Sequence, residues 1–169
     1  MNSVWRMVLG TVGLAGAAMC AWRLHRRELP ALRALDGEFQ LPDMRFRYRP
    51  EMLFDTFERI GREGRALLRR SWAVGAGLAL LLPAVMAAAA HNSVGLAPLV
   101  LGMDAAACLR AVADLAEKAL LAHTLNAYPD RRRIRAARVA SAITAVKWCL
   151  TALWVAALFV GLVLRAAQI

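Results

Sequence analysis

Four stretches of about twenty mostly apolar residues, divided by arginine-rich segments, constrain this chain more than any other feature. A bilayer core about 30 Å thick is crossed by about 20 residues rising about 1.5 Å each. Windows of that size fall at residues 4–22, 72–90, 94–113 and 139–164. Arg6 lies close enough to the end of the first to snorkel. The second has no charged residue. The third is interrupted by Asp104 and Arg110 and continues as a helix to residue 126, and the fourth contains Lys147. The chain is 60% hydrophobic, yet holds 22 Lys and Arg against 12 Asp and Glu, whereas a soluble domain is about 45–50% apolar even with Gly counted. That segregation of oil from charge argues against an ordinary soluble enzyme, a disordered tail and a secreted disulfide scaffold. Cys20, Cys108 and Cys149 stand singly in apolar surroundings, which suits reduced packing residues and neither zinc nor an iron–sulfur cluster.

The cations predict an orientation. Residues 23–71 hold twelve Arg, and Arg131, Arg132, Arg133, Arg135 and Arg138 follow the third window, while the opposite side has only Arg6 and Arg165. The positive-inside rule therefore places both basic segments inside and both termini outside. A cleaved signal peptide over residues 1–22 would export the twelve arginines, so the first window is expected to be a retained span. Gly13 with Ala17, and Thr11 with Ala15, stand at a spacing that lets another helix approach closely.

Between the first two windows lies a basic, amphipathic inner-side segment. Pro30 and Pro42 are expected to break it, and Arg45-Phe46-Arg47-Tyr48-Arg49 to run extended before Pro50. Pro50 then opens a helix with Glu51 in its first turn, an apolar stripe of Leu53, Phe54, Phe57 and Ile60, and Gly61 at its end. A new helical run after Gly64 leads into the second span. Basic and aromatic residues beside a membrane suit an interfacial anchor better than a nucleic-acid surface, and the arginines at 131–138 are read as lipid head-group contacts.

The third helix carries the most informative residues. Arg110, Asp114, Glu117 and Lys118 fall within about a 100° arc. Folding the hairpins about Asn92 and residue 132 adds Arg69, Arg70 and Lys147 to one charged layer near the inner face. Unpaired charges in lipid are costly, so Asp114 or Glu117 is expected to meet Lys147, with the Phe54, Phe57 and Ile60 segment packed on the hairpin below. Asp104 falls about 15 Å into its span, at the midplane, where a protonated carboxyl would donate toward the Ala79 carbonyl freed by Pro83.

Taken together, Tyr48-Arg49-Pro50-Glu51, Gly61-Arg62-Glu63-Gly64-Arg65, Asp114-Leu115-Ala116-Glu117, Tyr128-Pro129 and Lys147-Trp148 resemble a pattern of small four-span integral membrane proteins of unassigned function. The match covers roughly residues 46–150 and implies no catalytic role. The expected architecture is all-α: a four-helix transmembrane bundle with spans at 1–22 and within 72–169, and the amphipathic segment 23–71 between them. No cofactor or metal is expected, and His25, His91 and His123 lie too near span ends for a bis-His haem. The function expected is that of an accessory subunit of a membrane complex, in a mitochondrial respiratory-chain or ATP synthase assembly or, failing that, a bacterial inner membrane. Its partners would be other integral membrane subunits and anionic lipid such as cardiolipin. An oligomeric channel using Asp104 and the inner layer is the alternative, and a membrane redox or lipid enzyme the next.

Overall fold

The computed structural model describes residues 3–167, with the side chains of residues 3–6 and 9 outside the description. The snorkelling expected of Arg6 falls among these. Every regular element among the described residues is helical. Helix α1, Ser3–Arg23, does not stop at the end of the first apolar window. It passes through a π-turn, Leu24–Glu28, into α2, Leu29–Leu35. The π-turn sends the Leu29 amide back five residues to the Leu24 carbonyl. The ladder is thus already displaced where Pro30 lacks a donor, and the proline continues the rod instead of breaking it.

The chain then leaves helix through a 3-10 turn, Pro42–Met44, and Arg45 and Arg49 are extended as predicted. Helix α3, Pro50–Arg59, has Pro50 at its start, Glu51 in its first turn, and Leu53, Phe54 and Phe57 buried. Gly61 takes a φ of 63° at the junction, a left-handed conformation that glycine adopts without steric cost. Helix α4, Gly61–Ser93, begins there and not after Gly64. Gly64 lies inside it, against Ile60 and Leu35, where a Cβ has no room. Helices α5, Ala97–Ala127, and α6, Ile134–Ala166, complete the chain.

These helices form an open row. α1 lies on α4, α4 on α5 and α5 on α6, while α4 and α6 touch lightly. Small residues set the first of these contacts: Gly10 faces Ala88, Gly13 faces Ala84, and Gly77 faces Cys20. Gly13 and Ala17 are buried, whereas Thr11 and Ala15 point outward. At the end of the row that carries the arginine-rich segments, termed the inner end, α3 packs beneath α4 and α6, with Phe57 edge-on to Trp72 and Tyr128, and Leu121, Leu125, Ala137 and Ala140 in the same cluster. A smaller cluster, with Met86, Val100, Met103 and Trp154, lies at the outer end. Of the described helices, α4 and α6 are long and apolar enough to cross a membrane.

Candidate functional site

Helical periodicity brings Asp114, Glu117, Lys118 and Leu121 onto one buried stripe of α5, and Ala140, Ser141, Thr144 and Lys147 onto the facing stripe of α6. The segment around Asp43 and Tyr48 closes the space between them. The Lys147 ammonium donates to Glu117 Oε2 at 2.6 Å, to Asp114 Oδ1 at 3.0 Å and to the Asp43 carbonyl at 2.9 Å. Three acceptors use all three of its protons. Lys118 Nζ lies 2.5 Å from Asp114 Oδ1 and 3.2 Å from Asp43 Oδ2. The Thr144 hydroxyl donates to Glu117 Oε1. Glu117 is wholly buried, and Asp43, Asp114, Lys118 and Lys147 are each at most 7% exposed. Three carboxylates thus enclose two ammonium groups.

Backbone and small residues make this possible. A Cβ on Gly75 of α4 would stand 2.6 Å from Lys118 Cε, so the glycine is what admits the lysine arm. Ser141 fastens the loop to α6, accepting from the Tyr48 amide at 3.0 Å and donating to the Tyr48 carbonyl at 2.7 Å. Burial, reinforced by the negative charge of Glu117, pushes the Tyr48 phenol well above its ordinary range.

The expected layer is therefore assembled only in part. Asp114, Glu117, Lys118 and Lys147 come together; Arg69 and Arg70 do not. Both arginines are exposed, because the buried stripe of α4 runs through Leu68, Ser71, Trp72 and Gly75 and leaves positions 69 and 70 about 100° or more off it. Arg110 is adjacent but outside the ion pairs: its Nε donates to Thr151 Oγ1 at 3.0 Å.

Asp104 also departs from expectation. It is not beside Ala79 at mid-depth; its Oδ2 lies 2.9 Å from His91 Nε2, and its side chain is 29% exposed. α4 stays helical to Ser93 and α5 begins only at Ala97, so the hairpin turns later than Asn92 and level pairings shift along the helices. Asp104 is two turns into α5 and has a partner, which removes the solitary midplane carboxyl.

Among the predicted lipid contacts, Arg131, Arg132, Arg135 and Arg138 are exposed and Arg133 is half-buried. Arg132 lies 3.7 Å from Glu58 and over the Phe54 ring, and Arg133 contacts His123. Sequence reasoning missed Asp43, Ser141, Thr144 and Gly75. Asp43 lies in a 3-10 turn, where no long helical period marks a buried face.

Chemically the cluster is a closed knot. Each ammonium proton of Lys147 is engaged, and no group of three or more His, Cys, Asp or Glu is placed to hold a metal among the described residues. No known protein family, curated protein or solved structure matches this chain.

Proposed function

We propose that the chain crosses a membrane four times, through α1, α4, α5 and α6, and acts as a packing subunit of a larger membrane assembly. The observation that carries the reading is the outward surface of the row. Only 22% of the apolar stretch of α4 and 11% of that of α6 is buried, which is unlike the core helix of a soluble protein. The outward stripe of α5 is uncharged from Leu101 through Leu109 to Val112, and that of α1 presents Val12, Leu14 and Met19. Asp114, Glu117 and Lys118 of α5 and Lys147 of α6 turn inward and pair, as lipid demands. The small-residue contact of α1 on α4 suits association in lipid, where helices gain little from hydrophobicity and rely on close approach.

The arginine bias supports both termini on one side and the two basic segments on the other. Asp104, paired with His91, gives no support to an ion path. No feature of the described residues points to mitochondria or to a respiratory complex in particular. Single cysteines at positions 26, 92 and 131 in a cysteine-free background test the layout with a membrane-impermeant thiol reagent. Positions 26 and 131 should label together from one face and position 92 from the other; labelling of 26 and 131 from opposite faces overturns it. Purification in mild detergent should bring down other integral membrane proteins, and a stable, partner-free monomer counts against the subunit role.

A further inference from the structure

The geometry points to a binding cleft for the phosphate head group of an anionic phospholipid, formed by Arg47 and Arg49 of the loop and Arg138 of α6, an inference that rests on the four-span reading. The cleft has a volume of about 520 Å³ and is lined by these three arginines with Tyr48, Pro50 and Ser141. All three arginines are exposed, and none makes an ion pair among the described residues. Arg23, Arg59 and Arg132, by contrast, each face a carboxylate. Three free guanidinium groups around one cleft suit a phosphodiester, which accepts paired N–H donors.

Depth assigns the ligand to the membrane. Counting about 20 residues back from Leu164 puts the inner hydrocarbon edge near Ala145. Ser141 and Arg138 then lie about 6 and 10 Å inside that edge, within side-chain reach of a head-group layer about 5–7 Å thick. Arg135 lies about 15 Å inside it, and Arg131 to Arg133 precede α6, so those arginines are out of reach. The loop is fixed at the same depth. Its Asp43 carbonyl is held by Lys147 and its Tyr48 by Ser141, so the chain descends along α6 from the hydrocarbon edge into the head-group layer. Between those ties Met44 and Phe46 project, each 60% exposed, at the level where acyl chains begin. Apolar side chains above and arginines below match the two parts of a phospholipid.

The test uses the full chain, taken from bilayers of equal phosphatidylcholine and phosphatidylglycerol, with retained lipid counted by native mass spectrometry. About tenfold preference for phosphatidylglycerol is expected, given the attraction of each cation to an anionic surface. Joint Arg47→Gln, Arg49→Gln and Arg138→Gln should abolish the preference, while Arg131→Gln, Arg133→Gln and Arg135→Gln, an equal charge loss, should preserve it. Equal loss in both triples would show diffuse attraction and overturn the cleft. Retention of phosphatidylglycerol in excess inorganic phosphate supports a lipid ligand, and its displacement overturns that assignment. Met44→Ser with Phe46→Ser, which leaves every arginine in place, should weaken retention; unchanged retention overturns the acyl contact. Alkaline carbonate extraction separates the two readings: wild-type protein released from the membrane refutes the four spans, whereas lost preference in protein that stays inserted refutes the cleft alone.

Discussion

At the inner end of the helix row, α5 and α6 close around five buried charged groups, and the 42–48 loop is pinned over them by Lys147 and Ser141. At the outer end α4, α5 and α6 meet through Met86, Ala90, Val100, Met103 and Trp154, with Gly161 against Val94, and the one carboxylate there among the described residues, Asp104, is partly open to its surroundings. The two ends solve different problems. Buried ions incur a large desolvation cost that only directed contacts offset, so the inner end tolerates one arrangement. The outer end relies on surface fit between apolar side chains, large and small, which degrades by degrees. A substitution inside the knot should therefore act as an unpaired charge, and one outside it as a slightly poorer fit.

The largest effect is expected from Lys147→Met. It leaves Asp114 paired with Lys118 alone and Glu117 with only the Thr144 hydroxyl, and it releases the Asp43 carbonyl; breaking a buried pair this way costs about 3–5 kcal/mol. Thermal unfolding in detergent should show that loss, and combining it with Glu117→Gln should recover part of it, since paired changes in one network are non-additive. A Lys147→Met protein as stable as wild type would mean that the knot is not what holds the inner end. Gly75→Ala comes next. Its methyl group would meet Lys118 Cε at 2.6 Å, forcing the ammonium away from Asp43 and Asp114. The expected cost is about 1–3 kcal/mol, typical of overpacking, and is read by the same thermal unfolding.

Much of the inner end is legible in the amino-acid sequence. Asp114, Glu117 and Lys118 share a helix face by spacing alone, and the reflection that sets Lys147 level with Glu117 works because the turn before α6 is short. Helix α3 is legible too, since a proline start, an acidic first turn, an apolar stripe and a terminal glycine all agree. The levels of α4 against α5 are not. Helix continuation through His91-Asn92-Ser93 is a matter of a few residues, and that difference moves Asp104 from Ala79 to His91. Arg70 fails for another reason: level is not phase, and the helix turns it outward. Asp43 is hidden because loop residues have no periodicity from which burial can be read.

Two intermediate cases sharpen the boundary between the ends. Ser141→Ala removes both ties to Tyr48, and about 1–2 kcal/mol should be lost from two neutral hydrogen bonds. The loop should then be cut sooner by trypsin at Arg45 and Arg47, because its backbone is no longer held against α6. Gly10→Ala places a methyl group 2.8 Å from Ala88 Cβ on the α1–α4 face. α1 packs on α4 without a second long helix behind it, so it can draw back, and a loss of about 1 kcal/mol is expected with trypsin sensitivity of the loop unchanged. If Gly10→Ala also opened the loop, the two ends would be coupled and the contrast between them would fail.

The smallest effect belongs to Asp104→Asn. The carboxylate and His91 are about one-third exposed, at 29% and 35%, and line a cleft that opens at the Val94–Gly95 turn, where water can enter, so their attraction is screened and the pair is worth at most about 1 kcal/mol. Asparagine keeps the size of the side chain and can still accept from the imidazole, so the surroundings of the pair are undisturbed. The turn has a second tie besides, from the Arg165 guanidinium to the Asn92 carbonyl at 2.7 Å, which spans α6 and the end of α4 without using Asp104. Thermal unfolding of Asp104→Asn should accordingly lie close to wild type, and the double variant with Lys147→Met should show simple addition, because the sites share no partner. A loss as large as that of Lys147→Met would mean that the outer end is also locked by charge, and that fit between apolar side chains does not suffice there.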